Sequence, residues 1–141
     1  MPDPGTPSDR HDLLAAELAH QYLIEEELGR GGSATVYLSQ DLRHGRRVAL
    51  KVLHPALGAG LGVGRVQREI RTHARLQHPH ILPLLDSGSA AGRLYYTVPY
   101  VEAGSLRDRL RRLGRLDVSA AVQLALEVAS ALAYAHRLGI I

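Results

Sequence analysis

The chain has 141 residues, a formal charge of +3 and no cysteine, which bounds it to one domain or part of one and excludes a disulfide framework and thiolate metal sites. Its apolar fraction of 45% supports a core, built from Leu, Val, Ala and six Tyr because Phe and Trp are absent. The arginines are scattered rather than massed, which argues against a nucleic-acid partner, and no apolar run approaches the roughly 20 residues of a membrane span.

Met1 to Arg10 carries Pro, Asp, Gly and Ser with no apolar stretch, so it is expected to be disordered and not a signal peptide. His11 to His20 places Leu13, Leu14 and Leu18 at helical spacing and predicts a short helix. Tyr22 to Leu28 leads into a glycine-rich turn. Ala34 to Gln40 alternates and predicts a strand, as does Arg47 to Leu53, with Val48, Leu50 and Val52 on one face. Pro55 to Gly64 reads as a flexible lead-in to a helix over Val66 to Leu76, stopped by His78-Pro79. Ile81 to Asp86 and Leu94 to Val101 predict two more strands, split by a turn over Ser87 to Gly92. Ser105 is the expected N-cap of a helix reaching about Leu113, and Asp117 of a longer one, Val118 to Leu138, ending at Gly139. The stripe Val122, Leu124, Ala125, Val128, Ala131, Leu132 and Ala135 predicts that this last helix is buried on much of its circumference.

Two features carry chemistry. Sixteen cations are arginine and one is lysine, Lys51, in Val48-Ala49-Leu50-Lys51. A compact ammonium on a flexible stem suits a narrow approach to a polyphosphate better than a planar guanidinium fork. Upstream lies Leu28-Gly29-Arg30-Gly31-Gly32-Ser33-Ala34-Thr35-Val36, a glycine turn between two strands. Together they point at a nucleotide phosphate site. Gly29-x-Gly31-x-x-Ala34 also satisfies the dinucleotide fingerprint, but that fold needs a helix straight after the turn. Thr35-Val36-Tyr37-Leu38 instead reads as a strand. The eight histidines show no metal-ligand spacing. His78, His80 and His136 read as structural, and Arg107, Arg109, Arg111 and Arg112 as a solvated helix face.

The ordered series resembles the N-terminal part of a bacterial Hanks-type (eukaryotic-like) serine/threonine protein kinase domain. The resemblance runs from about Tyr22 to the last residue. It is carried by the glycine turn with Val36, Val48-Ala49-Leu50-Lys51, Arg68-Glu69-Ile70, His78-Pro79-His80-Ile81-Leu82, Tyr96 to Glu102, and Tyr134-Ala135-His136. It implies an α+β fold: a kinase N-lobe of five antiparallel strands and one inserted helix over 22–101, after a lead at 1–21. The first two helices of a truncated helical C-lobe follow over 102–141.

By the same resemblance, residues Leu28 to Val36 lie over the ATP phosphates, with Ala34 where the family has its third glycine. Lys51 holds the phosphates and forms a positioning ion pair with Glu69. Val36 and Ala49 sandwich adenine, Val98 stands at the back of its pocket, and Leu106 helps close the floor. Pro99 to Val101 is the hinge; Pro99 has no N–H, so it supplies only a carbonyl and Val101 the donor. The implied ligands are ATP and, in the complete enzyme, Mg²⁺ and protein substrates. The implied location is cytoplasmic, with membrane anchoring downstream in a longer product left open.

The sequence reaches Ile140-Ile141 without a His-Arg-Asp catalytic loop or an Asp-Phe-Gly metal ligand. The chain alone is therefore expected to be inactive, a fragment of a kinase that transfers the ATP γ-phosphoryl group to Ser and Thr. The alternative is a noncatalytic nucleotide-binding or docking module, a pseudokinase-like remnant.

Overall fold

The computed structural model describes residues 7–54 and 61–141. They form four helices and five strands: α1 (Pro7–Leu18), β1 (Tyr22–Arg30), β2 (Ala34–Asp41), β3 (Arg46–Leu53), α2 (Leu61–Ala74), β4 (Asp86–Ala90), β5 (Arg93–Pro99), α3 (Leu106–Leu113) and α4 (Val118–Arg137). They fall into two compact units, Met1–Ala74 with Leu84–Tyr100, and Arg75–Pro83 with Val101–Ile141.

In the first unit the strands form one antiparallel sheet in the order β1-β2-β3-β5-β4. Period-two alternation divides its side chains between two faces. On the outer face Val48, Leu50 and Val52 are buried with Tyr22, Tyr37, Tyr95 and Ala90, and Leu14 and Leu18 of α1 cover them. On the inner face Ala34, Leu53 and Tyr96 form a smaller cluster, against which Val66 and Ile70 of α2 pack. The sheet is thus a layer between two helices, and β3 at its centre is buried from both sides.

Several expectations are corrected. Residues 7–10 are helical, as are 61–64 at the start of α2; Pro55 to Gly60 lies outside the described residues. No strand spans Ile81 to Leu85. The edge strand is instead Asp86–Ala90, within the stretch Ser87 to Gly92 expected to be a turn. Gly88 within it is a packing requirement: a Cβ there would sit 2.7 Å from the Tyr95 hydroxyl. The turn itself is only Ala91-Gly92, with φ of 50° and 69°, the pair of positive values that a tight two-residue hairpin needs.

The β2–β3 hairpin is tied by one buried carboxylate, Asp41, only 3% exposed. It accepts the backbone N–H groups of Arg43 and His44, and faces His44 Nδ1 at 2.8 Å and Arg46 Nε at 3.4 Å. Burial alone raises such a carboxyl, but the hydrogen bonds from His44 and Arg43 outweigh it and hold Asp41 below the ordinary aspartate range. A carboxyl held low stabilises the fold above its unfolded pKa, and that contribution disappears as pH falls through the lowered folded value. Asp41→Asn is therefore expected to cost about 1–3 kcal/mol near neutral pH. The deficit should shrink below about pH 4, measured by urea unfolding at a series of pH values.

The second unit holds the two capped helices. Ser105 and Asp108 form a reciprocal capping box at α3, and Asp117 Oδ1 accepts the Ala120 N–H at 2.7 Å at α4. Asp117→Ala is expected to lower the helicity of this unit and its stability by about 1 kcal/mol, read by circular dichroism through thermal unfolding. The histidines of the 75–83 segment have structural work. His78 Nδ1 accepts the His80 N–H at 3.0 Å, so its Nε2 carries the proton toward Ser130 Oγ at 3.1 Å, while the Tyr134 hydroxyl accepts the Gln77 N–H.

The expected burial of α4 is not found. None of its residues is buried, and Val122, Val128 and Leu132 are each more than half exposed. Among the described helices it is also the one long and apolar enough to cross a membrane by length and composition, contrary to the reading that no run comes near.

Candidate functional site

The inner face of the sheet gathers the predicted nucleotide residues of the first unit. Val36 is opposite Lys51, which is opposite Tyr96; Leu38 is opposite Ala49, which is opposite Val98. Gly29 is opposite Val36, so the glycine turn overhangs this row at one end. Val36, Ala49, Lys51 and Val98 are all half-buried, a floor that is shielded yet accessible.

The glycines of the turn are informative for what does not require them. Gly29, Gly31 and Gly32 have no positive φ. A Cβ on Gly29 or Gly32 would meet nothing within 4 Å, and one on Gly31 only the Ala34 carbonyl at 4.0 Å. Neither backbone conformation nor packing inside the chain demands glycine at these positions. Bare backbone over open space suits a ligand that approaches the amides closely. The tip is closed by the Gly31 N–H donating to the Ala34 carbonyl at 2.9 Å, and Ala34 itself is buried in the inner cluster.

Not every residue of the turn faces the row. Arg30 pairs with Thr35, and both line a cavity on the outer face with Tyr37 and His54. The Arg30 guanidinium is held by Glu27 through Nε at 3.1 Å and Nη2 at 2.9 Å. This contact keeps the Glu27 carboxyl below the usual glutamate range. Arg30 and Thr35 can therefore serve an inner-face ligand through backbone groups only. Leu28 is 41% exposed and Ser33 is exposed at the tip.

Among the described residues Lys51 makes no ion pair with Glu69, which is exposed on α2. The Lys51 Nζ instead lies 5.5 Å from the centroid of the Tyr96 ring. The far side of that contact is set by α2, whose His73 packs edge-on to Tyr96 with ring centroids 5.5 Å apart. Tyr96 as the seat of the ammonium escapes a reading of the sequence; its signal is register, since Tyr96 is the residue directly across from Lys51.

Pro99 ends β5 opposite Val48, so strand pairing stops where the expected hinge begins. Val101 and Leu106 belong to the second unit and are 46% and 44% exposed; the Val101 carbonyl accepts the Gly104 N–H at 3.2 Å. Among the described residues no group of three His, Asp or Glu side chains could hold a metal ion.

A family profile described as "Protein kinase domain" matches residues 22–141. The serine/threonine-protein kinase PknJ of Mycobacterium tuberculosis is 39% identical over 132 residues, covering 93% of this chain and 22% of that protein. The serine/threonine-protein kinase PknE of the same species is 38% identical over 119 residues, 84% of this chain and 21% of that protein. The chain thus spans about a fifth of the length of these curated relatives. Two crystal structures of the M. tuberculosis PknI kinase domain superpose with TM-scores of 0.69 and 0.66 at 36% identity, over 84% of this chain and 49% of each of those chains. The five-stranded sheet with its inserted helix is accordingly that of a kinase N-lobe, and α3 and α4 correspond to part of the helical lobe.

Proposed function

Because the chain belongs to the protein kinase family, we propose that these 141 residues are the ATP-binding portion of a serine/threonine kinase. The observation that carries the reading is the inner-face row Val36, Lys51, Ala49 and Val98 beneath glycines that nothing inside the chain requires. Adenine would lie between Val36 and Ala49, with Val98 behind it and the Pro99–Val101 segment offering backbone groups along its edge. The family resemblance would add Leu106 as part of the floor. The turn amides from Gly29 to Ser33 and the Lys51 ammonium take the phosphates, and they stabilise charge rather than move protons.

The Lys51–Glu69 pair belongs, on this reading, to the nucleotide-bound form. A cation held by an aromatic face is worth about 0.5–1 kcal/mol at a partly exposed site. Charge-assisted bonds to phosphate are stronger, about 1.5–3 kcal/mol, so bound ATP draws Lys51 off the Tyr96 ring. Glu69 then serves as the second partner that fixes its direction. ATP as phosphoryl donor implies the cytoplasmic side of any membrane.

Transfer to a Ser or Thr hydroxyl needs a proton acceptor and metal ligands that kinases take from a His-Arg-Asp loop and an Asp-Phe-Gly segment. The 141 residues contain no His-Arg-Asp and no phenylalanine. They are expected to bind ATP without transferring its γ-phosphate. The exposed apolar side of α4 would be the surface that a kinase helical lobe covers, rather than a membrane span.

Calorimetric titration with ATP and with adenosine tests the reading. Tighter binding of ATP is expected, since the turn and Lys51 act on phosphates. Equal affinities, or none, would remove its basis. A parallel assay with γ-labelled ATP and a Ser/Thr-containing protein should show no transfer, and labelled product would contradict the assignment of the missing groups.

A further inference from the structure

We propose that the outer face of the sheet carries a second phosphate site, a small cationic cavity between α1 and the glycine-turn end of the strands, suited to a phosphate monoester. The cavity measures about 220 Å³. It lies on the face opposite Lys51. Arg30 is opposite Thr35 and Thr35 opposite Val52, whereas Lys51 is opposite Val36, one residue on and therefore on the other side of the sheet.

Its wall is built. Helix α1 is anchored by Leu14 and Leu18, which are 3% and 2% exposed, and by the Glu17 carboxylate accepting the Ala91 N–H. That anchoring sets Arg10 and His11 over the strands, with the His11 ring 5.4 Å from that of Tyr37. The floor is Thr35 and Tyr37, which are 3% and 6% exposed. A floor this dry strengthens any charge interaction made above it.

The charge is one-sided. Arg10, Arg30 and Arg93 line the cavity, and the neighbouring carboxylate Glu27 is committed to Arg30 by two hydrogen bonds. Among the described residues Arg93 makes no ion pair. His54 is already used: its Nδ1 donates to the Gly32 carbonyl at 3.2 Å, which can only accept, so its Nε2 accepts the Thr35 hydroxyl at 2.7 Å. Anion recognition therefore falls to Arg93 and Arg10, because the Arg30 fork is turned to Glu27; a planar guanidinium matches phosphate oxygens two at a time. The volume selects a compact ligand. Pockets for drug-sized molecules start at roughly 300 Å³, so a nucleotide is too large and a phosphate with a short carrier fits. The Gly32–His54–Thr35 chain also joins the cavity wall to the tip of the glycine turn.

The phosphate could come from a phosphorylated Ser or Thr side chain or from free phosphate. The 141-residue chain, labelled for NMR, is titrated with O-phosphothreonine, inorganic phosphate and threonine, while the Thr35 methyl and Arg93 Nε–H resonances are followed. Both phosphates are expected to shift them and threonine is not. The tighter of the two names the source. Arg93→Gln and, separately, Arg10→Gln should weaken phosphate binding roughly tenfold, the loss of one charge-assisted contact, with unchanged Val48 and Leu50 methyls as proof of folding. No shift with either phosphate, shifts confined to the Val36, Ala49 and Val98 methyls, or affinity in both variants unchanged from that of the parent chain would overturn the site.

Discussion

Lys51→Met is expected to weaken ATP binding roughly 10- to 100-fold while leaving the fold intact. Methionine keeps the length and the apolar stem of lysine and deletes the ammonium. The lost interaction is a charge-assisted bond to phosphate, about 1.5–3 kcal/mol. The fold barely notices, because among the described residues Lys51 makes no ion pair with Glu69 and its ammonium contacts the Tyr96 ring. A cation–π contact at a half-buried site contributes about 0.5–1 kcal/mol. Affinity and stability should therefore separate in this variant. Calorimetry against ATP and urea unfolding, run on the same preparation, measure the two. Unchanged ATP affinity would mean that the one lysine of the chain serves something other than phosphate.

Leu50→Ala lies at the opposite extreme, with a large effect on stability and none that is specific to nucleotide. Leu50 is 0% exposed at the centre of β3, flanked in register by Tyr37 and Thr97. Its side chain shares the outer cluster with Leu14, Leu18, Tyr22 and Tyr95. Removing a buried leucine leaves a cavity that a sheet held on both sides cannot collapse, and costs about 2–5 kcal/mol. A small unit with few kcal/mol of margin should unfold in large part. The midpoint of urea unfolding followed by tyrosine fluorescence checks this, and a shift smaller than about 1 kcal/mol would show that α1 and the outer cluster do not form as described.

Much of this is legible in the sequence, and for identifiable reasons. The alternation Val48, Leu50, Val52 against Ala49 and Lys51 reads directly as two faces, and the sheet preserves it. Ser105 and Asp117 read as caps because their side chains satisfy amides a helix cannot. The edge strand was hidden because Ser87, Gly88 and Ser89 have the composition of a turn. Gly88 must be small because the Tyr95 ring occupies the space above it, a long-range demand that a local pattern does not carry. The seat of Lys51 on Tyr96 depends on register between β3 and β5, which brings together residues 45 positions apart in the chain. The outer cavity was invisible for the same reason, since it exists only once Arg10 and His11 are folded back over Thr35 and Tyr37. The burial of α4 failed on a different ground: its apolar stripe is real, but the described residues supply nothing that covers it.

Methyl-resolved NMR of the chain during an ATP titration addresses the central claim most directly, because β3 presents alternate residues to opposite faces. The account predicts shifts at Val36, Ala49 and Val98, with Val48, Leu50 and Val52 undisturbed. Shifts at Val48, Leu50 and Val52 instead, or at neither set, would contradict the placement of the nucleotide on the Lys51 face.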